Sequence, residues 1–255
     1  MKRSVALAAL VGVLVLVVLA CRWPWARPAT LNAYIVHHAQ GAFKTLADDF
    51  ERETGIHVEA SYLCRAALPD AVTRDCGGDL YVTCDSKAMA KVAREGLTSG
   101  SAVPVAELVP VIVVPRGNPK GIATVADLAR PGVRLCLGLE KGCMGPIWKE
   151  ILEKAGVAAQ AAPNIVARTC GEMNLVTSVD GQKIDATIIW VSSVRDVGRE
   201  DVDVVPIPPD GNVIEPLSAL VLTVGRNRPA AERFIAFLQT PKAQRIFAEA
   251  GHRRF

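Results

Sequence analysis

Short apolar segments alternate with amphipathic ones along most of this chain, and that alternation restricts it to few architectures. LNAYIV (31–36), HVEASY (57–62) and DLYVT (79–83) read as strands, each followed by a helical pattern. The helices are expected over about 41–54, 65–74 and 86–95, the first with Phe43, Leu46, Ala47 and Phe50 on one face and Gly55 closing it. ELVPVIVVP (107–115) reads as a strand that leads into a second run. There TVADLA (124–129) is a short helix, VRLCLG (133–138) a strand and PIWKEILEKAG (146–156) a helix. NIVAR, GEMNLVTSV and DATIIW continue the alternation to residue 190, DVDVVPIP is a returning strand, and residues 228–251 close the chain as two helices. Strand–helix alternation of this kind predicts parallel sheets flanked by helices, arranged as two α/β lobes. Half of the 255 residues are hydrophobic and 5% aromatic, enough for a sizeable Ala/Val-rich core. A net charge of +3 without basic blocks argues against nucleic acid as a partner.

The N-terminus determines how the cysteines are read. Lys2 and Arg3 precede an uncharged apolar run from Val5 to Ala20, and Cys21 follows. A basic region plus a short apolar one is an export signal, and Val-Leu-Ala before the cysteine is similar to a bacterial lipoprotein signal with Cys21 as the lipidated residue. An uncleaved signal anchor is the alternative. Residues 22–30, with Pro24 and Pro28, then form a tether. The remainder is expected in the periplasm or at the cell surface, membrane-anchored. There the remaining six cysteines, Cys64, Cys76, Cys84, Cys136, Cys143 and Cys170, would ordinarily form disulfides.

The chain resembles the substrate-binding proteins of bacterial ABC importers, in particular the molybdate-binding branch of the two-lobed Venus-flytrap fold. The resemblance is carried by FERETGIHVEASY, GGDLYVTCDSKAMAKVAREGL, LVPVIVVPRGNPKGIATVADLARPGVRLCLG and the C-terminal helix pair, in that order. It implies a lobe I of residues 31–112 plus 203–255, a lobe II of residues 113–202, and a ligand held between them at strand-to-helix junctions. It also implies no enzymatic activity, an ABC permease and ATPase as partners, a small inorganic ligand, and a monomer. Where the family holds an oxyanion with hydroxyls and a tyrosine, this sequence has His38, Cys64 and Trp190 at the matching positions.

Four cysteines fall at such junctions: Cys64 and Cys84 in the first run, Cys143 and Cys170 in the second, with His38 at a fifth. Helix N-termini lower thiol pKa values, and thiolates bind soft metals. Met144 and Met173 lie close to Cys143 and Cys170 and could add thioethers, and Arg65 could neutralise an anion. Cys76 and Cys136 read as buried structural thiols. His37 is expected to point away from the cleft, His57 to be a surface residue, Asp85 to cap its helix, and Thr169 with Glu172 to form a capping box. The expectation is a cleft that binds a thiophilic metal, metalloid or metal cluster, the candidates including Zn²⁺, Cu(I) and an iron–sulfur cluster. Its rivals are an oxyanion-binding protein with disulfides Cys64–Cys84 and Cys143–Cys170, and an iron–sulfur redox protein or metal carrier or sensor on the same fold.

Overall fold

A computed structural model describes residues 29–254 apart from 66, 76 and 181. Cys21, most of the tether and Cys76 lie outside the described residues. Among the described residues, no helix is long and apolar enough to cross a membrane.

The first lobe is built on β1 (Thr30–Val36), β2 (His57–Leu63), β3 (Leu80–Thr83), β4 (Thr98–Leu108) and β10 (Glu215–Leu222), in the order β2-β1-β3-β10-β4. β1 is parallel to β2 and β3, whereas β10 runs antiparallel to both β3 and β4. β3 is buried at every position, as a central strand covered on both faces must be. β2, at the edge, alternates outward charges with inward Val58. The helices α1 (Gln40–Thr54), α2 (Leu68–Asp75) and α3 (Ser86–Arg94) follow β1, β2 and β3, and α7 (Arg228–Leu238) and α8 (Pro241–Glu249) end the chain. Phe43, Leu46 and Phe50 recur at helical spacing on α1 and are fully buried. They meet Phe234 and Phe247, with Phe43 and Phe247 edge-to-face at 5.6 Å.

The second lobe contains β5 (Pro110–Pro115) between β8 (Thr187–Trp190) and β9 (Val202–Pro206), both antiparallel to it, and a parallel pair β6 (Leu135–Gly138) and β7 (Ile165–Thr169). Its helices are α4 (Gly145–Lys154), α5 (Glu172–Ser178) and α6 (Val191–Val197). The sheets are therefore mixed, with parallel pairing confined to the strand–helix units. The strands that run between lobes pair antiparallel, because a direct return reverses chain direction. Two of them, β4 and β10, were not expected from sequence.

Buried apolar residues separate into two clusters. One holds residues up to Ala106 and from Leu217 onward, the other residues 108–207 together with Cys84. β5 and β9 thus pack wholly with the second cluster, whereas the expected division falls after 112 and 202. The exception is informative: Cys84, directly after β3, packs into the other lobe's core, as does Leu108 where β4 ends.

Asp79 fastens the first lobe. It is fully buried, and its carboxylate accepts the backbone N–H groups of Asn32 on β1 (2.8 Å) and Asn227 at the start of α7 (2.7 Å). A carboxylate in such a place holds only while those donors satisfy it. Asp79→Ala leaves two buried donors unpartnered and should lower unfolding free energy by about 3 kcal/mol. Urea denaturation checks this, and a midpoint equal to wild type would contradict the role.

Candidate functional site

β1 ends at Val36, and His37–Ala39 form a single 3-10 turn before α1. That turn breaks the alternation of the strand, so the rings of both His37 and His38 face the second lobe. There they meet Glu172, the first residue of α5, which follows Gly171 at φ +84°. His37 Nε2 hydrogen-bonds to Glu172 Oε2, and His38 Nδ1 lies 3.7 Å from Glu172 Oε1. The expectation that His37 points elsewhere is overturned. So is the capping box: the α5 N-cap is Gly171, with no side-chain cap, and Glu172 is used across the cleft instead.

His38 is 3% exposed and lies between two groups. Its Nε2 is 3.6 Å from Cys84 Sγ, and its ring centroid is 5.8 Å from that of Trp190. Trp190 is fully buried opposite Pro110, where β5 begins, and its Nε1 has no hydrogen-bond partner. Ser192 Oγ donates to the His38 carbonyl (3.4 Å), a further link between the lobes.

Arg65 does not face the cleft as a free cation. Its Nε donates to Asp85 (2.8 Å) and its Nη1 to Glu215 on β10 (3.3 Å). Asp85 caps α3 as expected, accepting from the N–H groups of Lys87 and Ala88 at 3.0 Å. Glu215 lies within electrostatic reach of the Cys84 thiol.

Cys143 is carried by the 139–144 loop, which folds back onto the start of α4. A Cβ on Gly145 would stand 2.5 Å from the Leu139 carbonyl oxygen, so only glycine permits this return. Pro146 then sits in the first turn. Cys143 is half-buried and within electrostatic reach of Cys64, Glu172 and Arg65. Cys64 and Cys170 are exposed, and Cys136 is buried inside β6. Among the described residues all five cysteines are free, so the disulfides Cys64–Cys84 and Cys143–Cys170 are not formed. Met144 is 2% exposed and packs in the second core, while Met173 is 64% exposed. His57 pairs with Glu51 at the surface (2.9 Å), as expected.

The thiols differ electrostatically from the expectation. Burial pushes Cys84 well above the ordinary thiol value, and Glu215 adds to this. Burial likewise pushes Cys143 up to about 11, with Glu172 contributing. Both are neutral at pH 7 unless a metal displaces the proton. Glu172 is the opposite case. Burial alone would raise its pKa, but the hydrogen bond to His37 and the neighbouring His38 ring hold the carboxyl below the usual range. The Glu172 hydrogen bond raises His37 above 6.5, whereas burial lowers His38. The group of three or more metal-ligating side chains that converges among the described residues, with ligand atoms within 4.8 Å of one another, is His37, His38 and Glu172. No cysteine belongs to it. Glu172 and Glu215 were missed as site residues; the acidic residue directly after the Cys170–Gly171 junction was the one available signal.

A family model of bacterial extracellular solute-binding proteins matches residues 31–253, and the chain belongs to that family. Among its relatives is the molybdate-binding protein ModA of Mycobacterium tuberculosis, 25% identical over 213 residues, covering 83% of this chain and 80% of the relative. Peb3 of Campylobacter jejuni with L-phospholactate bound has the same fold at 21% identity (TM-score 0.73, 88% of this chain and 100% of that one). Iron-bound HitA of Pseudomonas aeruginosa does so at 16% identity (TM-score 0.71, 89% and 86%).

His252, in the C-terminal segment, is 4% exposed with neither ring nitrogen partnered, and burial pushes its pKa down to about 3. The folded protein keeps this ring neutral, while the unfolded chain takes up a proton below its ordinary 6.5. Its contribution is therefore intact above pH 6.5 and lost as pH falls toward 3, at up to about 1.4 kcal/mol per pH unit. His252→Phe should flatten the stability profile between pH 6.5 and 4 in urea melts; a slope identical to wild type would contradict it.

Proposed function

We propose that the protein is the capture component of an ABC importer, anchored outside the cytoplasm through a lipidated Cys21, and that its cleft takes a transition-metal cation. The observation that carries the choice of ligand is the charge of the cleft. Asp85, Glu215 and Glu172 face it, and the one guanidinium among them, Arg65, is already paired with the first two. A buried site with surplus carboxylate repels a small anion and attracts a cation. The free thiols Cys84 and Cys143, with Cys64 at the rim, extend the site toward a thiophilic or borderline metal. Contacts from both lobes to one ion would favour the closed state, as import by a two-lobed carrier needs.

An oxyanion is the second reading. It is favoured by the molybdate-binding relative and by two buried donors without partners, Trp190 Nε1 and Ser193 Oγ. The fold itself is neutral on this point, since structures sharing it carry iron in one case and a phosphorylated acid in another.

Thermal unfolding of the metal-free protein with Zn²⁺, Cu⁺ or molybdate separates the readings. A ligand at about a hundred times its Kd adds about 2.7 kcal/mol, a rise of several degrees in Tm. Zn²⁺ or Cu⁺ should produce that rise and molybdate none. A rise with molybdate alone would overturn the cation reading.

A further inference from the structure

We infer that His37, His38 and Glu172 form a divalent-cation site that closes across the two lobes, and that Cys84 orients His38 toward it. The inference rests on the cation reading above and names its ligands.

The orientation of His38 follows from its neighbour. Cys84 Sγ lies 3.6 Å from His38 Nε2, and a sulfur accepting there places the ring hydrogen on Nε2. A neutral imidazole with hydrogen on Nε2 has a lone pair on Nδ1. That lone pair faces Glu172 Oε1 across 3.7 Å, and Nδ1 has no hydrogen-bond partner although the residue is 97% buried. Two acceptors aimed at one another in a dry site are unfavourable until a positive centre lies between them.

The spacing suits such a centre. Two ligand atoms on a tetrahedral ion with bonds of about 2.0–2.1 Å stand about 3.3 Å apart. His37 Nε2 is bonded to the other oxygen of the same carboxylate, so an ion replacing that shared proton would gain a second imidazole. Two imidazoles and a carboxylate suit Zn²⁺, Co²⁺ or Ni²⁺ better than Cu⁺, which prefers sulfur. The fourth position is open to water or to Cys143, which Glu172's charge reaches. His37 and His38 belong to the first lobe and Glu172 to the second, so the complete set exists only when the cleft is closed. The thiol behind His38 acts as the outer partner that fixes a ligating ring.

The test is equilibrium dialysis of full-length protein against Co²⁺, with visible spectra, and against Zn²⁺ and molybdate. Wild type should bind one Co²⁺ with tetrahedral d–d absorption. Glu172→Gln should weaken Co²⁺ about a hundredfold or more while the metal-free protein still unfolds in a single cooperative transition. Cys64→Ser/Cys143→Ser should weaken it no more than about tenfold. Cys84→Ala should cost about tenfold and Cys84→Ser restore most of it, which a packing role alone would not. If Glu172→Gln binds as wild type and the cysteine double variant does not, this site is wrong while the cation reading stands. Molybdate bound with no Co²⁺ or Zn²⁺ would overturn both.

Discussion

The polar contact at the centre of the cleft between the lobes is made by one carboxylate. Glu172 leaves the first turn of α5, crosses the cleft and meets two histidines that end β1. Everything around it is arranged by that choice. A buried carboxylate needs compensation, and the compensation available is two imidazoles, one able to hold a proton and one forced neutral by burial. The rest of the cleft sharpens the asymmetry: the Arg65 guanidinium serves Asp85 and Glu215, and the buried thiols carry their protons.

The same arrangement gives the cysteines a role different from a four-thiolate cage. Cys84 is placed in the second lobe's core beside His38 Nε2, a position for steering a neighbour. Cys143 sits on a glycine-dependent loop within electrostatic reach of Arg65 and Glu172. Cys170, expected to complete the set, is exposed, and its carbonyl accepts from Asn174 within its own helix turn. Relatives on this fold hold quite different solutes, so the junction side chains decide the ligand while the scaffold only brings them together.

Much of this was readable in the chain. The strand–helix periodicity locates β1, β2, β3 and the helices after them, and it places His38, Cys84 and Cys143 at junctions that do converge. β4 escaped because Gly100, Ser99, Ser101 and Pro104 carry no strand signal, and its existence depends on pairing with β10, over a hundred residues away. Glu215 was invisible for the same reason, since β10 itself was not expected. His37 was misassigned because alternation was extended one residue beyond the strand, into a turn that rotates both rings the same way. Glu172 was hidden by a pattern that fits a local cap, and only the neighbouring lobe shows why the side chain turns outward. Local signals report local structure, and the two carboxylates here act over distances no window spans.

X-ray absorption at the zinc edge of the loaded, full-length protein tests the central claim most directly. A site built on His37, His38 and Glu172 predicts a first shell dominated by nitrogen and oxygen at about 2.0–2.1 Å, with imidazole scattering from two rings and at most one sulfur. A shell of three or four sulfurs at about 2.3 Å without imidazole would contradict it and return the metal to the thiols.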